Sequence, residues 1–200
     1  GKGNARFNEK TISSLYYLFN VSWKDQLFLD VTGRNDWSSA LVYADKHGDY
    51  SYFYPSVSGS WLIHETFDLP TVISFAKVRA SWAQVGNDTD PYQVINTYSQ
   101  YTNITSTPGY ILSTTLKNSN LKPESTNSYE AGLEMSFLNN RFGFEATVYS
   151  SETKNLTFPI KGTYIQYIAN SGVMSNKGVE LSLHGTPVKT ANFSWESSLA

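Results

Sequence analysis

Residues Ser14–Arg34 read SLYYLFNVSWKDQLFLDVTGR. Alternate positions fall into two sets. Leu15, Tyr17, Phe19, Val21 and Trp23 make one, and Ser14, Tyr16, Leu18, Asn20 and Ser22 the other. After Lys24-Asp25 the alternation resumes, with Leu27, Leu29, Val31 and Gly33 against Phe28, Asp30, Thr32 and Arg34. Successive side chains leave a strand on opposite faces, so a period of two marks a strand with one buried face. Two such runs around a very short polar turn predict a long β-hairpin.

The same reading extends outward along the chain. Phe53, Pro55, Val57, Gly59 and Trp61 alternate with Tyr52, Tyr54, Ser56, Ser58 and Ser60. Val78, Ala80 and Trp82 alternate with Lys77, Arg79, Ser81 and Ala83. Tyr129 to Phe137 and Phe142 to Val148 flank Asn139-Asn140 as a second hairpin. Val179, Leu181 and Leu183 oppose Gly178, Glu180, Ser182 and His184, and a last strand is expected over Asn192 to Ala200. About eight strands of roughly 9–11 residues result, the length that crosses a bilayer at ~45° tilt.

Composition sharpens this. Aromatic residues are 15% and charged residues only 16% of 200, while the formal net charge is -2. Soluble domains carry roughly 25% charged residues. Abundant aromatics exclude disorder, and no run approaches ~18 apolar residues, which excludes a transmembrane helix. The charge gives no support for nucleic-acid binding. With no cysteine, disulfides, thiolate metal sites and a cysteine nucleophile are excluded. The chain opens on Gly1 and stops inside an expected strand, so it reads as a piece of a longer protein.

Connections and faces favour a membrane barrel. Lys24-Asp25 and Asn139-Asn140 are very short and Gly185 to Ala191 modest, whereas Asn35 to Ser51, Asn87 to Glu124 and Glu152 to Ser175 are long. Ile63 to Ser74, on the short side, is read as a helical turn or an excursion. Short turns at one end and long loops at the other are the habit of transmembrane barrels. Trp23, Trp61, Phe137, Phe142 and Phe193 fall near the short turns, and Trp37, Tyr52, Phe53 and Tyr129 near the long loops, as two interfacial belts would. Leu15, Leu29, Val31, Leu133 and Val148 are expected against lipid. Asp30, Arg34, Lys77, Arg79, Glu130, Glu134, Glu145 and Glu180 are expected to line a lumen. A water-soluble β-sandwich, binding carbohydrate or acting as an adhesin, is the alternative.

Five stretches carry a family resemblance. They are YYLFNVSWKDQLFLDVTGRNDWS from Tyr16, YFYPSVSGSW from Tyr52, KVRASWAQVGN from Lys77, LKPESTNSYEAGLE from Leu121 and NKGVELSL from Asn176. In this order they resemble the barrel of the SusC/RagA-like TonB-dependent outer-membrane transporters of Bacteroidetes. The resemblance implies an all-β, antiparallel transmembrane barrel of 22 strands, of which residues 1–200 would be an internal segment without plug or terminal strands. It implies import of a bulky polar nutrient, oligosaccharide or in some members peptide, and no enzymatic activity. The partners it implies are a SusD-like surface lipoprotein, the TonB complex reached through parts outside this chain, and outer-membrane lipid. A siderophore-type receptor without a lid is the alternative among barrels.

No catalytic constellation emerges. His47, His64 and His184 lie far apart, without HExxH or helical spacing. Glu130 and Glu134 share a face but stand ~13 Å apart along a strand, beyond the ~5–9.5 Å of a glycosidase pair. Neither a nucleophile elbow nor a glycine-rich phosphate loop occurs. Asn87-Asp88-Thr89-Asp90 begins like a calcium loop but lacks its glycine and distal glutamate, so it reads as turn chemistry. No cofactor is expected. Tyr43, Tyr50, Tyr92, Tyr98, Tyr101, Tyr110, Tyr164 and Tyr167 sit in or beside the long loops among Asn, Gln, Thr and Ser. A flat ring with a hydroxyl suits sugars and peptide backbones. It suits a docking protein equally.

Overall fold

The computed structural model describes residues 9–42, 48, 50–91, 93–96, 98–102, 108–118, 120–163 and 165–200, without the side chains of residues 99, 101, 102 and 108. Eight strands form one antiparallel sheet: β1 Ile12–Trp23, β2 Leu27–Ser38, β3 Ser51–Leu62, β4 Ile73–Asn87, β8 Glu124–Phe137, β9 Phe142–Lys154, β12 Met174–Lys189 and β13 Ser194–Leu199. They are hydrogen-bonded in chain order, β1-β2-β3-β4-β8-β9-β12-β13, and the sheet does not close on itself. Five short strands lie in the long connections: β5 Tyr98–Thr102, β6 Pro108–Leu112, β7 Thr115–Leu116, β10 Thr157–Lys161 and β11 Gln166–Asn170.

Register converts the alternation into two faces. One rung runs Val21–Leu29–Gly59–Ala80–Ala131–Val148–Val179 from β1 to β12. The neighbouring rungs carry only the other set. A slip of one residue anywhere would turn an apolar set onto the polar side, and the seven long strands keep phase through their central spans.

The short turns explain how phase is set. Lys24 and Asp25 both have φ 53°, and Leu138, Asn139 and Asn140 have φ 54°, 57° and 61°. Consecutive left-handed residues match the right-handed twist of the strands they join, which is why such turns suit two-stranded hairpins. Asp and Asn accept this conformation readily; Lys24 and Leu138 do so at some steric cost. The Leu138 N–H is fixed by the carbonyl of Val72 at 2.8 Å.

Several expectations need correction. Seven strands have 12 to 16 residues rather than 9–11, because ladder pairing continues beyond the apolar rungs into polar sequence, at the long-loop end and, in β12, at the short-turn end as well. The expected turn at Gly185 to Ala191 belongs largely to β12, which passes a register shift between Gly185 and Val188 and runs to Lys189. The final strand accordingly begins at Ser194, not Asn192. Tyr52 leaves the expected belt: it pairs with Asp36 and points to the polar side with Tyr54. The segment after β3 does hold a helical turn, as expected: the 3-10 turn Ile63–Glu65. There the Ala76 N–H donates to His64 Nδ1 at 3.3 Å and the His64 ring packs on Phe75 at 4.6 Å.

Burial is inverted relative to a water-soluble fold. Large apolar side chains stay open on the apolar face: Leu15 is 64%, Phe19 59% and Val179 74% exposed. Among the described residues no second sheet covers them, as the sandwich alternative requires. The buried apolar cluster lies instead among the loops, where Leu41, Val94 and Leu121 meet, with Tyr52 and Ile168 packed against them.

Candidate functional site

The polar face is organised around β4, β8 and β9. Lys77 opposes Glu134, which opposes Glu145. Two carboxylates directly across a ladder repel, and the neighbouring cations answer this. Lys77 Nζ lies 3.8 Å from Glu134. Arg79 Nη1 lies 2.7 Å from Glu145, and Nη2 3.3 Å from Glu130. Nη2 also donates to Thr147 Oγ1 at 2.9 Å. One guanidinium thus ties three strands.

Gly132 makes that reach possible. A Cβ there would stand 2.7 Å from Arg79 Nε, so only glycine lets Arg79 lie flat over β8. Gly178 plays the same part for Tyr149, whose Oη would be 2.5 Å from a Cβ at that position. Glu180, opposite Thr147, has no ion-pair partner among the described residues. Two cations therefore face four carboxylates across this band, which leaves it acidic.

Asp30 and Arg34 sit apart from that band, on β2. Asp30 accepts from Asn20 Nδ2 and, at 3.5 Å, from Ser58 Oγ. Arg34 Nε donates to Asp36 at 2.6 Å, and Nη2 to Ser14 at 3.2 Å. All eight residues expected to line a lumen do share one face, but in two groups.

Above them is a cluster that sequence reasoning missed. Asp36 and Ser38 are buried. Asp88 accepts from Ser38 Oγ and from the Thr89 N–H at 2.7 Å, and pairs with Lys10 at 2.8 Å. Asp88 therefore acts as a turn and ion-pair acceptor, in keeping with the turn reading of residues 87–90. The Tyr52 and Tyr54 rings meet at 5.1 Å. Lys10, Asp36, Tyr52, Tyr54 and Asp88 line a 500 Å³ cavity with Arg34, Ser56 and Asn87. The signal was present, since Tyr52 and Tyr54 alternate in phase with Ser56, Ser58 and Ser60. Aromatic identity masked phase.

The long loops are clasped together. β7 pairs in parallel with β11, joining residues of two different connections. Asn170 completes the link. Its Nδ2 donates to the carbonyls of Lys122 at 2.9 Å and Asn155 at 2.8 Å, and its Oδ1 accepts the Lys122 N–H at 2.8 Å. A side-chain amide here substitutes for a strand backbone. Glu124 accepts the Thr157 N–H at 3.0 Å.

Among the described residues the loop tyrosines belong to separate elements. Tyr98 and Tyr110 are on one face of the β5–β6 hairpin, 68% and 70% exposed. Tyr167 lies in β11 and Tyr50 just before β3, both exposed. The backbone of Tyr101 belongs to β5. Tyr43, Tyr92, Tyr164 and His47 lie outside the described residues.

A single antiparallel sheet of long strands, apolar on one face and charged on the other, with short turns at one end and elaborated loops at the other, defines a membrane β-barrel wall. Residues 2–200 match the family model described as "TonB dependent receptor-like, beta-barrel". The chain belongs to this family, whose members are outer-membrane receptors and transporters rather than enzymes. It is 35% identical to TonB-dependent receptor P26 of Formosa agariphila over 94% of this chain and 20% of that protein. It is 30% identical to TonB-dependent receptor SusC of Bacteroides thetaiotaomicron, over 94% of this chain and 20% of that one. It thus spans about a fifth of these relatives. Among solved structures, the RagAB peptide importer in its open-open state superposes with a TM-score of 0.86 at 24% identity, over 99% of this chain and 22% of that one. The siderophore receptor PirA from Pseudomonas aeruginosa gives 0.59 at 19%, over 94% and 33%.

Proposed function

We propose that residues 1–200 form an internal stretch of one barrel domain in an outer-membrane transporter that imports a bulky polar nutrient. Oligosaccharide is the first cargo class and peptide the second. The observation that carries the reading is the segregation of faces through the central rungs of seven strands, with the charged face continuing into a clasped set of loops at one end only. In this arrangement the apolar face meets lipid. Asp30, Arg34, Lys77, Arg79, Glu130, Glu134, Glu145 and Glu180 line the aqueous interior, and the exposed loop tyrosines Tyr50, Tyr98, Tyr110 and Tyr167 meet cargo or a lid.

Similarity to SusC supports a SusD-like lipoprotein as the lid, and membership of the TonB-dependent family supports energy from the TonB complex through other parts of the protein. The better superposition on RagAB than on the siderophore receptor favours the lidded class over a lidless one. The test is affinity purification of the full-length protein from its own outer membrane. Stoichiometric recovery of a surface lipoprotein is expected. A receptor recovered alone, or found in the water-soluble fraction, overturns the reading.

A further inference from the structure

We propose that the apolar face holds one phospholipid at a defined position, its acyl chain in a groove beside Trp23 and Trp61 and its anionic headgroup at Lys24. The inference rests on the proposed contact of that face with lipid and goes beyond it to a particular site.

The groove follows from side-chain size. The rung nearest the short turns carries Trp23, Leu27, Trp61 and Val78, and the next carries Val21, Leu29, Gly59 and Ala80. A hydrogen and a methyl group at Gly59 and Ala80 sit beside Leu29 and above two indoles, so the surface dips there by one side chain. The resulting groove measures 440 Å³. Its walls are almost wholly apolar, which suits neither a sugar nor a peptide backbone.

Its position selects the occupant. The groove opens beside the turn Lys24–Gln26, at the depth where tryptophans mark a membrane interface. Lys24 Nζ stands 4.6 Å over the Trp23 ring. A cation over an exposed indole face is drawn to it weakly, by the ring quadrupole. Among the described residues Lys24 has no carboxylate partner, although Asp25 adjoins it in sequence. An ammonium without an ion-pair partner among the described residues, at the head of an apolar groove, complements an anionic phospholipid of the leaflet on the short-turn side.

The test uses the full-length receptor in detergent, equilibrated with dioleoylphosphatidylglycerol or dioleoylphosphatidylcholine and observed by native mass spectrometry. One phosphatidylglycerol retained per barrel, in preference to phosphatidylcholine, is expected. Gly59→Leu should reduce retention about tenfold, and Ala80→Leu should do the same. Gly59 is a suitable position because a Cβ there meets nothing closer than the Phe28 carbonyl at 3.7 Å, so the fold accepts a larger residue. Heat-modifiability on gels checks this. Lys24→Ala should abolish the headgroup preference while leaving the chain site. Wild-type retention in both groove-filling variants, or an unchanged preference in Lys24→Ala, overturns the proposal. A receptor that assembles in the outer membrane yet retains no lipid sinks this site alone. A receptor absent from the outer membrane sinks the transporter reading with it.

Discussion

Leu133 and Glu134 are neighbours in β8, yet they belong to different worlds. Leu133 sits in a rung with Val78 and Ala146, and Glu134 in one with Lys77 and Glu145. The central rungs of the apolar face ask little of their neighbours in the chain; they need only to carry no charge. The polar face depends on partners at almost every charged position, through Arg79, Thr147 and the glycines that let long side chains lie down. One face is therefore fixed by composition and the other by geometry, and substitutions should separate them.

The largest effect should come from placing charge on the wrong face. Leu133→Arg is expected to destabilise by ~2–4 kcal/mol, the cost of a cation facing mid-bilayer lipid, and to block assembly of the full-length barrel. Glu134→Arg should assemble. Equal behaviour of the two in heat-modifiability gels would erase the distinction between faces.

A smaller effect tests the geometric side. Gly178→Val forces the Tyr149 ring away from its seat, since a Cβ alone would lie 2.5 Å from Tyr149 Oη. Overpacking of this kind costs ~1–3 kcal/mol, to be read from the urea midpoint of the folded barrel. Adding Tyr149→Ala should recover most of the loss. A double variant no better than the single would mean the two positions are independent.

Asn170→Ala probes the loops. It strips partners from both backbone groups of Lys122 and from the Asn155 carbonyl. Each group left unpaired costs ~1–3 kcal/mol where buried, and less here because the site is half open. The expected outcome is faster proteolytic nicking between residues 155 and 175 with an unchanged barrel midpoint. Arg79→Ala should be mild, ~0.2–1 kcal/mol for each of its two half-exposed ion pairs. Its midpoint shift should shrink in 1 M salt, where the screening length falls to ~3 Å.

Much of the fold was legible because a strand writes its own phase. The hairpin through Lys24-Asp25 could be registered residue by residue, and the eight charged positions fell on one face as their phase required. What stayed hidden depends on distant partners. β7 has only Thr115 and Leu116, too short for any period, and forms because β11 offers an edge. Asn170 has no sequence signature, since it imitates backbone. The Glu134–Glu145 opposition was invisible until β8 and β9 were aligned. Tyr52 was misplaced because ring chemistry was weighed above phase.

The left-handed residues of the short turns also bear on time. Lys24–Gln26 closes β1 on β2 through three residues, whereas β4 and β8 must meet across a connection roughly tenfold longer. Loop-closure entropy makes that second encounter costlier by about 2 kcal/mol. Loop closure therefore favours the hairpins β1–β2 and β8–β9 as early units of assembly. The β4–β8 seam joins later, and the Arg79 network, which spans it, can form only once the two halves have found one another.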